Sequence, residues 1–554
     1  MKKIAALALL LTCAAAAAWQ LLPRPADSLY YADHLPAETV ATVSLFDLKG
    51  LAKTFPASAP GKFFAKPVMR AVLAEQGAEE EAILRYEALH DSLADILSNP
   101  FFQLLFGDDA AFALLPPDPV LLKGNPAQAL RDSLVAFGSS SSAGIIGGIA
   151  STLSNEFSQE TVDGLELTRL RLKDGGFLYG YGKDGVLILA FNPKQIAAAL
   201  AQKKAGGRLR EQPFFLAAKK FWQEETAGRS LLQFSLNPKR LPPLLAALEQ
   251  AETGNIAARL DSFHSLSGLI VARHDRLKLS LRAEHSLMVT RIAASEHRKV
   301  LALLTETVPL YLWTAALDRQ TAETLLAWTN VRPETLRQKL GLSLDEIMTA
   351  VGPQAGLAMS GIVSAGISLL PKLTIFLQMR QAEPARLITE RLRSLISRQG
   401  FAKEQTAEAD GHAIYYWRFL PAEAAQPAIA LTGDMLYIAN GPAGLKALLT
   451  EKQAVVSHAV RDSLGSELAD QLAAASVLTF AARPARLAAE ARKAKDWLTA
   501  ALAGTKAGAS EHLREAILLL MQSVELAAAW ANFDKQHLDM SLVLCHAPCR
   551  EIEK

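Results

Sequence analysis

Two periodicities alternate along this chain. Runs such as Leu277-Lys-Leu-Ser-Leu281 and Leu538-Asp-Met-Ser-Leu542 repeat every second residue, which gives a strand one apolar face. Strand-like runs fall at Thr39–Phe46, Leu165–Leu172, Gly185–Phe191, Ser230–Leu236 and Leu277–Arg282, and again at Lys372–Met379, Ile414–Phe419, Met435–Asn440, Val477–Ala482 and His537–Leu544. Lys183-Asp184-Gly185 and Thr432-Gly433-Asp434 carry hairpin-turn chemistry, because Gly and Asp tolerate positive φ. Helical spacing fills the gaps. Ser343-Leu-Asp-Glu346 is a capping box, and Pro384 opens a stripe through Leu387, Leu392, Leu395 and Ile396. Pro67–Leu97 and Glu511–Leu526 are further helical stretches. Strand pairs joined by turns and then followed by helices predict an α+β fold with mainly antiparallel sheet.

The pattern also repeats. Leu232-Gln-Phe-Ser-Leu-Asn-Pro-Lys-Arg-Leu241 matches Leu478-Thr-Phe-Ala-Ala-Arg-Pro-Ala-Arg-Leu487 at a shift of 246. Asp184–Pro193 resembles Gly433–Pro442 at 249, and Asp163-Gly164 resembles Asp410-Gly411 at 247. Leu35-Pro36 before Val40–Phe46 resembles Val308-Pro309 before Leu310–Ala316, and Leu277–Leu281 resembles Leu538–Leu542. Five matches in one order predict two tandem similar halves, residues 28–300 and 301–554, behind an N-terminal segment at 1–27.

That first segment places the chain in a compartment. Lys2 and Lys3 precede an apolar run from Ile4 to Leu22, and Ala16-Ala17-Ala18 offers small residues for cleavage. The run is 19 residues, enough to span a bilayer if retained. Both readings put the rest of the chain outside the cytoplasm, in the periplasm or cell envelope. Cys13 follows Leu10-Leu11-Thr12 and is a weak lipidation candidate, since Thr12 stands where such sites carry a smaller residue.

Composition narrows the classes further. In 554 residues, 58 basic and 56 acidic groups nearly cancel, and no basic run stands out, so a nucleic-acid partner held through phosphates is not expected. Half the residues are apolar, which is globular. Beyond Cys13 only Cys545 and Cys549 remain, an even pair for an oxidising compartment, and a small disulfide loop bent by Pro548 is the structural expectation.

Two segments stand out from ordinary loops, 138–150 and 360–370, both rich in Gly, Ser and Ile. They read as a pair of loops at comparable places. Their isoleucines either tuck into the core or form apolar lips for lipid or a partner, through Ile145, Ile146 and Ile149 in one and Ile362, Val363 and Ile367 in the other. Tyr415-Tyr416-Trp417 reads as core and rim packing rather than a cleft lining.

Catalytic signatures are missing. There is no phosphate loop, no Gly-x-Ser-x-Gly elbow, no His-Glu-x-x-His and no Cys-x-x-Cys. His264, His274, His285 and His297 are spaced by 10 to 12 residues, unsuited to one metal site. Asp108-Asp109 lacks the further carboxylates of a cation loop, and Glu79-Glu80-Glu81 reads as a solvated helix face. No cofactor is expected.

Leu35-Pro36-Ala37-Glu38-Thr39 before a Val-rich strand, with the turn, strand, Pro and helix of Gly433–Leu449, resembles a bacterial extracytoplasmic family known by its domain-of-unknown-function number, three-three-five-two. The resemblance covers most of the chain after residue 28 and implies no catalytic or binding residue. Three functions follow in order: a non-enzymatic, membrane-tethered scaffold or interaction protein; a carrier of lipid or another apolar ligand; and a hydrolase of unrecognised type. Thiol titration tests the cysteine reading: the exported protein should show no free Cys545 or Cys549 until reductant is added, and two thiols without it would refute the loop.

Overall fold

The computed structural model describes residues 29–138, 157–172, 175–183, 186–203, 205–225, 228–244, 260–273, 276–286, 310–315, 317, 319, 322–323, 332–365, 368–398, 402–419, 426–450, 461, 464–493 and 511–546. The fold is α+β with antiparallel sheet, and it divides into two compact units. One comprises residues 1–54, 91–270 and 282–286; the other comprises 55–90, 271–281 and 287–554.

The first series of strands is β1 (Ala41–Phe46), β2 (Asp109–Leu114), β3 (Leu134–Gly138), β4 (Phe157–Val162), β5 (Leu165–Arg171), β6 (Phe177–Lys183), β7 (Val186–Ala190), β8 (Arg229–Leu236), β9 (Phe263–Ala272) and β10 (Arg276–His285). Pairing runs β8-β1-β2-β3-β7-β6-β5-β4, antiparallel throughout. Val162 pairs with Leu165 across Asp163-Gly164, both at positive φ (50° and 77°), the two-residue turn that suits a twisted hairpin.

The inward side chains of β1 are polar. Thr42 and Ser44 are buried, and the Thr42 and Ser235 hydroxyls lie 2.8 Å apart. Bulk comes from elsewhere: helix Pro213–Glu225 buries Phe214, Phe215, Phe221 and Trp222, and Tyr31 meets Phe215 edge-on at 6.3 Å between ring centroids. Trp222 Nε1 donates to the Gly268 carbonyl at 3.0 Å, which satisfies a buried donor. The leading residues 29–37 are fastened to residues 207–210. Leu209 N donates to Leu35 O (2.8 Å), Ala37 N to Gly207 O (3.0 Å), and Arg210 pairs with Asp33 at 3.2 Å.

The second series is β11 (Leu310–Thr314), β12 (Val351–Ala365), β13 (Ser368–Met379), β14 (Glu404–Ala409), β15 (His412–Trp417), β16 (Ala428–Thr432), β17 (Met435–Ala439), β18 (Leu478–Ala482), β19 (Leu526–Phe533) and β20 (His537–Cys545). Its pairing runs β20-β19-β18-β11-β12-β13-β17-β16-β15-β14. Ala409 pairs with His412 across Asp410-Gly411, again at positive φ (48° and 76°). Here the inward positions of β11 are Tyr311 and Trp313, both essentially unexposed, and Trp313 Nε1 donates to Gln354 Oε1 at 3.2 Å. The facing helix Ser466–Ala473 buries only Leu468, Ala469 and Leu472.

Several expectations need correction. The segment 360–370 is not a loop: Gly361, Ile362 and Val363 belong to β12 and pair with Lys372, Pro371 and Leu370 of β13. Gly361, at φ 146°, marks the register shift that lets this hairpin run on past β11. Nor is 360–370 comparable in place to 138–150, since one joins β12 to β13 and the other follows β3. The helical stretch Pro67–Leu97 is two helices, Lys66–Glu75 and Glu80–Ser98, interrupted at Gly77 with φ 76°. Helix Glu511–Gln522 stops short of Leu526, which opens β19. The alanine-rich β19 carried no strand signal because Ala has little strand preference.

Helix Lys66–Glu75 packs with helix Glu511–Gln522 in the second unit. Glu75 accepts from His512 N at 2.9 Å, and its other carboxylate oxygen lies 2.6 Å from His512 Nδ1. A carboxylate thus sits at a helix N-terminus, where the macrodipole favours it.

Gly356 of β12 is pressed against β11 and β13: an added Cβ would meet the Phe376 ring and the Leu312 carbonyl. Gly356→Ala should cost about 1–3 kcal/mol in urea unfolding. Gly444→Ala, in an open helical position, should be neutral or stabilising by up to about 1 kcal/mol. Equal effects at both sites would show that the close approach is not real.

Candidate functional sites

A cleft in the first unit has a volume of about 480 Å³ and opens beside Pro116, Val120 and Gln195. Its polar side chains serve the backbone. Asp118 accepts from Val120 N (2.8 Å) and Leu121 N (2.9 Å), Asn125 from Gln128 N (3.2 Å), and Asn192 from Lys194 N (3.1 Å). Three helix N-termini converge there, so the carboxylate and amides satisfy orphan N–H groups. Asp132 and Ser133 complete the polar lining, and Ser133 Oγ donates to the Ala129 carbonyl at 2.8 Å.

A second group of polar side chains lies along β1 and β2. Ser44 Oγ donates to the Tyr31 hydroxyl at 3.1 Å, and the Tyr30 hydroxyl donates to the Gly138 carbonyl. Burial, and then the neighbouring Asp109, raises the Tyr30 pKa. Burial, followed by Asp108, also holds the Asp109 carboxyl above its usual value. The space enclosed by Tyr30, Ser44, Asp109 and Phe137 is about 10 Å³, room for one water at most. No substrate enters there. At the end of β1, Asp47 takes positive φ (53°), pairs with Arg229 and accepts from Gly50 N at 3.2 Å.

His34 is a buried titratable group of the first unit. It is buried against Phe137, with ring centroids 6.1 Å apart, and among the described residues its Nδ1 has no hydrogen-bond partner. Burial, then Lys203, lowers its pKa, partly opposed by a hydrogen bond with the Ala199 backbone and by Asp33.

The residues singled out in the sequence are dispersed. Cys545 ends β20 and is buried, whereas Cys549, Cys13, Ile145, Ile146, Ile149 and Ile367 lie outside the described residues. Ile362 and Val363 are placed by their backbone in β12. Trp417 is fully buried, with Nε1 donating to Ser397 Oγ at 3.0 Å, and Arg393 lies over the Tyr415 ring at 3.6 Å. Among the described residues no group of three His, Cys, Asp or Glu side chains is placed to hold a metal ion, and no helix is long and apolar enough to cross a membrane. The run Ile4–Leu22 lies outside them.

What sequence reading missed is on helix Glu80–Ser98. Leu84, Leu89, Leu93 and Ile96 are about half exposed there (52%, 58%, 51% and 46%), and Ile83 is its one buried side chain. Large aliphatics concentrated on one exposed helix are an interaction signal rather than scattered surface leucines. The helical spacing was visible beforehand; its orientation away from the core was not.

No family model, no curated protein and no solved structure matches this chain. The family resemblance therefore rests on the phrases at Leu35–Thr39 and Gly433–Leu449 alone.

His34 yields a pH test. Because its folded pKa lies below the ordinary value near 6.5, the unfolded chain takes up the proton first as pH falls. Its contribution to stability is complete above about pH 6.5 and is lost as pH drops toward the lowered value. Thermal melts at pH 7.5 and 5.5 should show wild type losing more stability than His34→Gln over this interval; parallel losses would refute the assignment.

Proposed function

We propose that this protein is an exported, non-enzymatic envelope protein, tethered to a membrane by its first residues, that works by binding other proteins. The observation that carries the reading is the exposed aliphatic row of helix Glu80–Ser98. Lys2, Lys3 and the apolar run Ile4–Leu22 support export. The described folded region begins at Leu29, with only six residues between it and Leu22, and each residue spans at most about 3.5 Å. A retained anchor would hold that region close to the bilayer.

In this reading the chain is a duplicated unit. The path β8-β1-β2-β3-β7-β6-β5-β4 recurs as β18-β11-β12-β13-β17-β16-β15-β14, each strand ten places later. The Asp-Gly turns at 163–164 and 410–411 close equivalent hairpins with the same backbone signs. A Cys545–Cys549 loop closing the last strand belongs to the same proposal. Ligand carriage drew on paired isoleucine loops, and no observation now favours it over protein binding.

Native mass spectrometry of protein extracted gently from membranes, with the mature N-terminus read alongside, tests the reading. Recovery in the membrane fraction with additional polypeptide mass is expected. A chain recovered bare, or carrying only a lipid-sized mass, would overturn it.

A further inference from the structure

Residues 29–37 hold to the rest of the first unit by a short set of bonds. Leu209 N donates to Leu35 O (2.8 Å), Ala37 N to Gly207 O (3.0 Å), and Arg210 Nη2 to Leu29 O (3.0 Å). Asp33 pairs with Arg208 (3.5 Å) and Arg210 (3.2 Å), and Arg208 also pairs with Glu211 (2.9 Å). Within the segment Tyr31, Ala32 and Leu35 are buried, and so is one ionisable ring, His34, at 3% exposure.

His34 sits where a positive charge is poorly met. The Phe137 ring of β3 lies 6.1 Å away between centroids and brings no charge. From helix Pro193–Gln202 come the Ala199 backbone, which hydrogen-bonds the ring, and Lys203 at the helix end, whose ammonium repels a second cation. On its own segment Asp33 favours a proton on the ring, but its carboxylate is shared between Arg208 and Arg210. A protonated imidazole carries N–H on both nitrogens, and among the described residues Nδ1 has no partner to accept from it. Charging the ring in place therefore costs desolvation, repulsion from Lys203 and one unmade hydrogen bond, and water relieves all three once the segment is out.

We propose that residues 29–37 are an acid-released latch: protonation of His34 frees this segment from residues 207–210 while the rest of the first unit stays folded. Among the described residues its one β contact is the isolated bridge between Pro36 and Arg208. β1 starts beyond it at Ala41 and keeps both partners, β2 and β8, when the segment leaves. Weakly held leading segments open at far lower free energy than core strands. The latch is closed above about pH 6.5 and opens as pH falls toward the lowered folded value of His34. Asp109, which faces Tyr30 of the same segment, acts the other way: burial raises its carboxyl, so acid relieves that contact rather than opening it. With the latch closed, six residues (23–28) separate Leu22 from the fold, and with it open, fifteen (23–37) do. The greatest reach then grows from about 20 Å to about 50 Å. The release goes beyond the proposed function and does not depend on it; only the longer reach rests on the retained anchor.

Hydrogen–deuterium exchange on the full chain, read by mass spectrometry over 29–37 and 207–210, tests the latch. Comparing wild type with His34→Gln at one pH cancels the pH dependence of exchange itself. At pH 7.5 the two should be protected alike. At pH 5.5 wild type should exchange roughly tenfold faster in both stretches, with helix Pro213–Glu225 unchanged, while His34→Gln stays protected. Lys203 is exposed, so Lys203→Gln keeps the fold, and by removing the repulsion it should blunt the acid response. No acceleration in wild type, equal acceleration in His34→Gln, or acceleration spread through the helix would each overturn the latch. Were His34→Gln not to fold, the Lys203 variant decides: an undiminished response sinks the proposal. Recovery in the membrane fraction, measured alongside, separates the two levels, since a chain absent from membranes removes the longer reach and leaves the latch standing.

Discussion

The first unit depends on β1 being held on both edges. Ala41–Phe46 pairs with β2 on one side and β8 on the other, and the latter contact joins Thr42 to Ser235 across 193 residues. No local element can supply such a pairing, because a loop of that length must be closed before any hydrogen bond rewards it. Helix Pro213–Glu225 packs beside β8 and buries four aromatic side chains, of which Phe215 meets Tyr31, the ring whose hydroxyl accepts from Ser44 of β1. The leading segment then docks through Leu35, Ala37 and Asp33, which fixes where the chain leaves the fold toward its N-terminus.

The second unit meets the same constraint with the bulk reversed. β11 lies between β12 and β18, but its inward residues are Tyr311 and Trp313, and the helix above contributes leucine and alanine. In the first unit Thr42 and Ser44 hold those places and Phe215 and Trp222 fill from the helix. A core close-packed to one density can take its volume from either layer, provided the two layers complement each other. The exchange also changes the polar accounting. A hydroxyl beneath aromatic rings needs a partner, which Ser235 and Tyr31 supply, whereas Trp313 needs an acceptor and finds Gln354.

Among the described residues, several polar side chains hold the backbone in place. Asp118, Asn125 and Asn192 cap helices around a cleft of the first unit, and Asp47 ties its own turn to Arg229. The surface tells a different story along helix Glu80–Ser98, where Leu84, Leu89, Leu93 and Ile96 are about half exposed.

All ten strand-like runs of the sequence are strands: some alternate and so fix a face without reference to any partner, while others, such as Val186–Ala190 and Met435–Ala439, are short apolar runs buried on both faces. The capping box at Ser343 is present for a similar reason, being made within one helical turn. Ala-rich β19 and Gly-rich β12 were invisible, since Ala and Gly carry almost no periodic signal and become strands only between committed neighbours. The order of the strands, the assignment of residues 55–90 to the second unit and the outward face of helix Glu80–Ser98 were not legible in the sequence. Periodicity determines which side chains share a face, a local matter of backbone geometry; which surface that face meets is settled by contacts between residues far apart in the chain, and only the tertiary structure decides those.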